Sequence, residues 1–166
     1  CEQTAGCAGC TGKKGVCGKS EKTARLQDEL TGALIGLARA TNGGTLYTDD
    51  TWKIFIEGLF TTVTNVNFHD DTIRELMGRV HEDKEKLCSG CGAPCGKTGD
   101  YDLSRLWHAD EDIRSLKSLI LFGIRGMAAY AYHAMVLGYT DEELNRFFCK
   151  ALFAVGEDWS MEELLP

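Results

Sequence analysis

The sequence predicts an all-α fold: a helical bundle, made of one or two three-helix units, with a cysteine-rich loop at its N-terminal end. Apolar residues recur at intervals of three and four, as on one face of a helix, and hardly ever alternate with polar residues as in a half-buried strand. Four of the eight cysteines fall within residues 1–17, among glycines. The 166 residues, 43% of them hydrophobic, are enough to bury a core without disulfide staples.

The helical bundle is predicted to span residues 20–166, and its first two helices have clear apolar faces. Ser20 can cap the first helix, and the sequence Asn-Gly-Gly at residues 42–44 ends it. Asp49 or Asp50 opens the second helix. The residues expected to face inward are Leu30, Ala33, Leu34, Leu37 and Ala38 in the first helix, and Trp52, Phe55, Ile56, Leu59, Phe60 and Val63 in the second.

The third helix is predicted to begin near Asp70 or Asp71 and to end in the polar stretch 81–86. A cysteine-containing insertion at residues 88–100, rich in glycine, then interrupts the bundle. The inward-facing residues expected of this helix are Ile73, Leu76, Met77 and Val80.

The fourth helix, expected from Asp110 to Gly138, is long and strongly apolar, and these two properties predict that it is the central helix. Gly123 and Gly126 cost it helix propensity, roughly 1 kcal/mol each relative to alanine. We therefore expect these glycines to allow close approach of another segment. The predicted apolar face consists of Ile113, Leu116, Ile120, Ile124, Met127, Ala128 and Ala131.

Capping boxes predict the last two helices. Thr140 with Glu143 would begin a fifth helix that ends at Gly156, and Ser160 with Glu163 announces a further helix just before the chain stops. This ending, and a start at a cysteine rather than a methionine, predict a fragment of a longer protein. The residues of the fifth helix expected to face inward are Leu144, Phe147, Phe148, Ala151, Leu152 and Val155.

Charge and hydropathy argue against two classes of partner. The formal net charge is −7, and lysines and arginines are interleaved with acids, without the basic stripe that nucleic acid or an anionic membrane surface would require. No apolar run approaches the roughly 18–20 residues of a membrane span, and no signal peptide is recognisable. We expect a cytoplasmic protein that binds neither nucleic acid nor membrane.

The cysteine-rich loop, residues 1–19, has the composition of a thiolate metal site. Cys7 and Cys10 form a C-x2-C pair, and Cys1 and Cys17 can complete a set of four ligands. The surrounding glycines let the backbone wrap a small group and direct N–H groups towards it. Ligand type alone suits a [4Fe-4S] cluster and a tetrahedral zinc ion equally well. The tight clustering favours metal over disulfides.

A second group of cysteines has three open interpretations. Cys88, Cys91 and Cys95 fall within eight residues. They are candidates for a zinc site completed by His81 or His108, for ligands of another cluster, or for reduced thiols in an irregular loop.

The remaining candidates for chemistry have structural interpretations. Cys149 lies next to the apolar stripe of the fifth helix and is expected to pack as a small core residue. His133 lies on a largely apolar helix, where one hydrogen bond to a packed imidazole is a commoner arrangement than metal ligation. No Ser-His-Asp order, phosphate-binding glycine loop or pair of catalytic carboxylates is found. We therefore predict no catalytic residue in this chain.

Three stretches resemble a known family. "CEQTAGCAGCTGKKGVCGK" with "TARLQDEL", "FTTVTNVNF" at 60–68, and residues 112–140 are similar to the N-terminal helical domain of hybrid cluster proteins, the prismane or hydroxylamine reductase family. The resemblance implies a [4Fe-4S] cluster, or [2Fe-2S] as in some members, held by a C-x2-C pair and two further cysteines. Cys1 matches the second member of the pair, and Cys10 and Cys17 match the other two ligands. The first member would lie three residues upstream of Cys1, with Cys7 as its alternative.

The resemblance also implies a function. In that family a hybrid iron-sulfur-oxygen cluster, held by later domains, reduces hydroxylamine or nitric oxide. This chain would then be the electron-transfer domain, inactive alone, with the remaining domains of the parent enzyme and a redox partner protein as its partners. The alternative is a non-catalytic helical interaction module in which zinc clamps the N-terminal loop to the bundle.

Overall fold

A computed structural model describes residues 14–63, 66–91 and 99–165, except for the side chains at 90 and 91. These residues form helices and contain no β-strand, which confirms the all-α prediction. The helices are α1 (Glu21–Ala40), α2 (Thr51–Thr61), α3 (Asp70–Cys91), α4 (Ser104–Trp107), α5 (Glu111–Val136), α6 (Glu142–Gly156) and α7 (Met161–Leu164).

Helix α1 begins and ends as predicted. The Ser20 side chain accepts a hydrogen bond from the backbone N–H of Thr23 at 3.1 Å, which satisfies one of the donors left open at a helix start. The five residues of the predicted inward face are fully buried. Residues 42–44 all have positive φ, and this left-handed turn stops the helix.

Helices α1, α2 and α3 form an up-down-up bundle. Thr23, in the first turn of α1, donates to Asp70 at the start of α3 at 2.9 Å, so these two helices begin at the same end of the bundle. Thr51, at the start of α2, donates to Asp83 in the second half of α3 at 2.6 Å. Helix α2 therefore runs antiparallel to the other two, and one of the predicted three-helix units is present.

Helix α1, not α5, is the central helix. Thirteen residues of α1 are buried, because α3, α6 and α2 all pack against it. Only five of the 26 residues of α5 are buried. The prediction that the fourth helix lies at the centre is therefore wrong. Helix α5 is the more hydrophobic of the two. Helix α1 has small residues, among them Gly32, Ala33 and Gly36, which let neighbouring helices pack closely around α1.

Helix α5 exposes a large apolar face. No described atom comes within 4 Å of a Cβ built at Gly123 or Gly126, so the predicted close approach is absent from the described part of the chain. The large residues of this helix that are more than a third exposed are Leu119, Phe122, Met127, Tyr130 and Val136.

Contrary to expectation, helix α5 is long and apolar enough to cross a membrane. An 18-residue window in it has a mean hydropathy of 1.3, and 22% of that window is buried. A single such helix is weak evidence for a membrane span, and α5 packs against α2 and α6 along part of its surface.

Helix α6 packs on α1, with one correction to its predicted start. Asp141, not Thr140, is the N-cap: its carboxylate accepts from the N–H of Leu144 at 2.8 Å. Phe147, predicted to face inward, is 48% exposed, whereas Phe148, Ala151, Leu152 and Val155 are buried as predicted. The predicted box at Ser160 and Glu163 is present at α7.

Candidate metal centre

Cys17 is the one member of the predicted ligand set within the described structure; Cys1, Cys7 and Cys10 lie outside it. Its side chain is exposed at the tip of a tight turn. The N–H of Gly18 donates to the carbonyl of Gly15 at 2.9 Å across this turn. Gly18 has a φ of +91°, which glycine adopts without strain.

The turn is fixed to the start of α1. Gly15 N–H donates to the carbonyl of Lys19 at 2.8 Å, and Lys14 and Ser20 pair as an antiparallel bridge. Ser20 is also the N-cap of α1. The segment that carries Cys17 is therefore continuous with α1, the helix with the most buried residues. A metal ligand needs such a fixed backbone to hold its geometry.

A buried ammonium group lies beside this turn. Lys19 is 1% exposed, and its Nζ has no hydrogen-bond partner among the described residues. Burial lowers the pKa of Lys19, and the charges of Cys17 and Asp28 oppose that effect. An unpaired buried ammonium is costly, so the position calls for a negatively charged neighbour.

Two further charges approach Lys19 from separate helices. Burial raises the pKa of Asp28 on α1, while Arg125 and Lys19 lower it. Arg125 on α5 donates through Nε to Thr62 Oγ1 and through an Nη to Thr31 Oγ1, both at 3.0 Å. These bonds tie α5 to the end of the bundle that carries the cysteine turn. Sequence reasoning did not find this charged group.

The positive charge of Lys19 among the described residues is complementary to the negative charge of a thiolate-ligated cluster. A metal centre with four cysteine thiolates carries net negative charge, and Lys19 supplies an unpaired positive charge two residues from Cys17. Within the described ranges no three His, Cys, Asp or Glu side chains are grouped to hold a metal.

Cys88, in the second cysteine group, lies far from Cys17. Asp70 contacts Thr23 near the turn, and Cys88 lies 18 residues further along α3. At 1.5 Å per residue this separates them by roughly 27 Å along the helix axis. Cys17 and Cys88 therefore cannot bind one metal centre.

The histidines considered for a Cys3His zinc site have other partners. His81 shares a hydrogen bond with Asp100 at 2.8 Å, and His108 with the carbonyl of Ser104 at 2.7 Å. The side chain of Cys91, at the end of α3, and the whole of Cys95 lie outside the description. Metal binding by this second group stays a prediction.

Cys149 is a core residue, as expected. It is fully buried, and its Sγ lies 2.7 Å from the hydroxyl of Thr41. Burial raises its pKa to about 11, which keeps it a thiol at neutral pH. His133, expected to be a packed imidazole, is exposed and contacts the rings of Phe60 and Tyr132.

Comparison with known proteins identifies relatives over nearly the whole chain. The family model described as Prismane/CO dehydrogenase family matches residues 1–165. The hydroxylamine reductase of Methanococcus vannielii is 37% identical over 186 aligned positions, covering 99% of this chain and 34% of the relative. Those of Maridesulfovibrio salexigens and Chlorobaculum tepidum are 36% and 39% identical, covering 99% and 92% of this chain. The chain spans about a third of the length of these relatives.

Proposed function

The chain belongs to the Prismane/CO dehydrogenase family, and we propose that it is the iron-sulfur electron-transfer domain of a hydroxylamine reductase-type oxidoreductase. Its cysteine-rich loop would hold a [4Fe-4S] cluster, or a [2Fe-2S] cluster, through Cys1, Cys10 and Cys17. The fourth ligand is Cys7 or a cysteine upstream.

The observation that carries this proposal is a buried Lys19, whose Nζ has no hydrogen-bond partner among the described residues, two residues from the exposed thiol of Cys17. The turn at residues 14–20 holds the exposed thiol of Cys17 on a fixed backbone, and the Lys19 side chain, two residues further along the chain, is buried. A zinc or iron-sulfur site with four thiolates would offset the cost of burying this ammonium group. The family resemblance favours iron and sulfide over zinc.

The chemistry divides between the cluster and the protein. A bound iron-sulfur cluster supplies reversible one-electron transfer at a potential that depends on burial and hydrogen bonding. The residues of this chain hold the ligating thiols and fix the turn. Hydroxylamine or nitric oxide reduction would take place at a hybrid cluster in the remaining domains, for which the threefold longer relatives have room. A cytoplasmic redox partner protein would supply the electrons.

The test is the metal content of anaerobically purified protein. We expect iron and acid-labile sulfide together with an absorption band at about 400 nm that dithionite bleaches. Cys17→Ser should lose most of the iron and the band. Cys149→Ser is the matched control: the same atom is exchanged in a buried thiol of α6, and iron content should not change.

Two results would contradict the proposal. A colourless protein with stoichiometric zinc would support the zinc-clamped interaction module instead. Equal iron content in Cys17→Ser and Cys149→Ser would remove Cys17 from the ligand set.

A further inference from the structure

We propose that Lys19 raises the reduction potential of the centre that Cys17 helps to hold. The inference rests on the proposed function. Lys19 would act on the centre through its charge and would not contact a reacting atom.

The position of Lys19 makes its charge effective. The side chain is 1% exposed, so water screens it little, and Nζ makes no hydrogen bond within the described structure that would neutralise it locally. The carbonyl of Lys19 accepts from Gly15 at 2.8 Å, which fixes its backbone in the turn that carries Cys17. A buried, fixed charge acts over several ångströms at the effective dielectric constant of about 20 found in proteins.

Two charged groups lie around Lys19. Burial of Asp28 on α1 raises its pKa, which weakens this carboxylate as a counter-charge. Arg125 on α5 is a second cation, fixed by hydrogen bonds to Thr62 and Thr31 at 3.0 Å.

The sign of the effect follows from the charge of the centre. One-electron reduction makes an iron-sulfur cluster more negative, so a buried positive charge stabilises the reduced form more than the oxidised form. Replacing Lys19 with a neutral residue should therefore make the cluster harder to reduce.

The experiment is an anaerobic redox titration of the protein followed by electron paramagnetic resonance, on the signal that Cys17→Ser removes. In Lys19→Met, we expect the equilibrium constant for reduction to fall roughly tenfold, which is about 59 mV for one electron. Lys19→Arg keeps the charge and should stay near wild type. The control Lys22→Met removes the same charge from a side chain that is 65% exposed and paired with Asp70, and should shift the potential little.

The outcomes separate this inference from the proposed function. Iron and sulfide are measured first in every variant. Wild-type protein without a cluster would overturn both proposals. An intact cluster whose potential is the same in Lys19→Met, Lys22→Met and wild type would overturn the role of Lys19 alone. Loss of the cluster from both Lys19→Met and Lys19→Gln, with helicity unchanged, would also overturn it, since Lys19 would then act in assembly.

Discussion

Replacement of Gly32 by alanine tests whether α1, the helix that follows the cysteine turn, is closely packed by the rest of the chain. A Cβ at this position would lie 2.2 Å from the carbonyl oxygen of Tyr101 and 3.2 Å from its carbon. The N–H of Tyr101 donates to the Gly32 carbonyl at 3.0 Å. The obstructing atoms belong to the backbone, so the segment at 99–103 must move away from α1.

Three effects decide the magnitude. Alanine in a helix is favoured over glycine by about 1 kcal/mol. Against this, the strained or broken hydrogen bond costs about 0.5–1.5 kcal/mol, and overpacking costs about 1–3 kcal/mol. Displacement of Tyr101 and Leu103, which are 7% and 5% exposed, adds to the loss. We expect Gly32→Ala to lower the free energy of unfolding by about 1–3 kcal/mol, or the melting temperature by about 2–10 °C.

The assay is urea unfolding followed by circular dichroism, with Gly123→Ala as the matched control. Position 123 on α5 has nothing within 4 Å of the added Cβ, so this variant should be as stable as wild type or up to about 1 kcal/mol more stable. If Gly32→Ala proved as stable as Gly123→Ala, the close packing on α1 would be refuted.

Two other predictions concern thiol reactivity and acid stability. In native, reduced, metal-free protein a maleimide should label Cys17 and leave Cys149 unlabelled, because burial raises the pKa of Cys149 to about 11; equal labelling by peptide mass spectrometry would contradict this. Burial alone would raise the pKa of Asp100, but hydrogen bonds from Lys84 and His81 lower it below the usual 3.8. The ionised carboxylate therefore stabilises the fold at pH values above 3.8. This stabilisation is lost as the pH falls through the pKa of Asp100 in the folded protein. Asp100→Asn should therefore lower the urea midpoint at pH 7 and much less at pH 3, and a pH-independent difference would show that the ion pair does not stabilise the fold.

Helix starts and ends were predicted well where they depend on a few neighbouring residues. Ser20 is followed by the apolar period of α1, and both the cap and the buried face are present. The glycine pair at 43 and 44 ended the same helix through its backbone conformation. At α6 two adjacent capping residues competed, and the carboxylate of Asp141 formed the cap in place of the Thr140 hydroxyl.

The burial of whole helices could not be predicted in this way. Helix α5 has the apolar residues of a core helix, but which helix lies at the centre depends on what packs around it. Gly32 resembles Gly123 in sequence context, since both lie inside helices. Only the tertiary structure shows that one contacts backbone and the other open space.

The sequence proposes ligands for the candidate site, and these stay a prediction, but it gives no information on their surroundings. Cysteine spacing singled out Cys17 because the ligand types and their clustering are properties of the sequence. Lys19 and Asp28 are close in sequence, but Arg125 lies more than a hundred residues after Lys19, and only the packing of α5 against the bundle brings it to this charged group.

The central claim is that thiols of the N-terminal loop hold iron in sulfur coordination. Mössbauer spectroscopy of anaerobically purified, iron-enriched protein tests it most directly. The account predicts a spectrum of tetrahedral, sulfur-ligated iron that disappears in Cys17→Ser and persists in Cys149→Ser. A wild-type spectrum without sulfur-ligated iron would contradict the account.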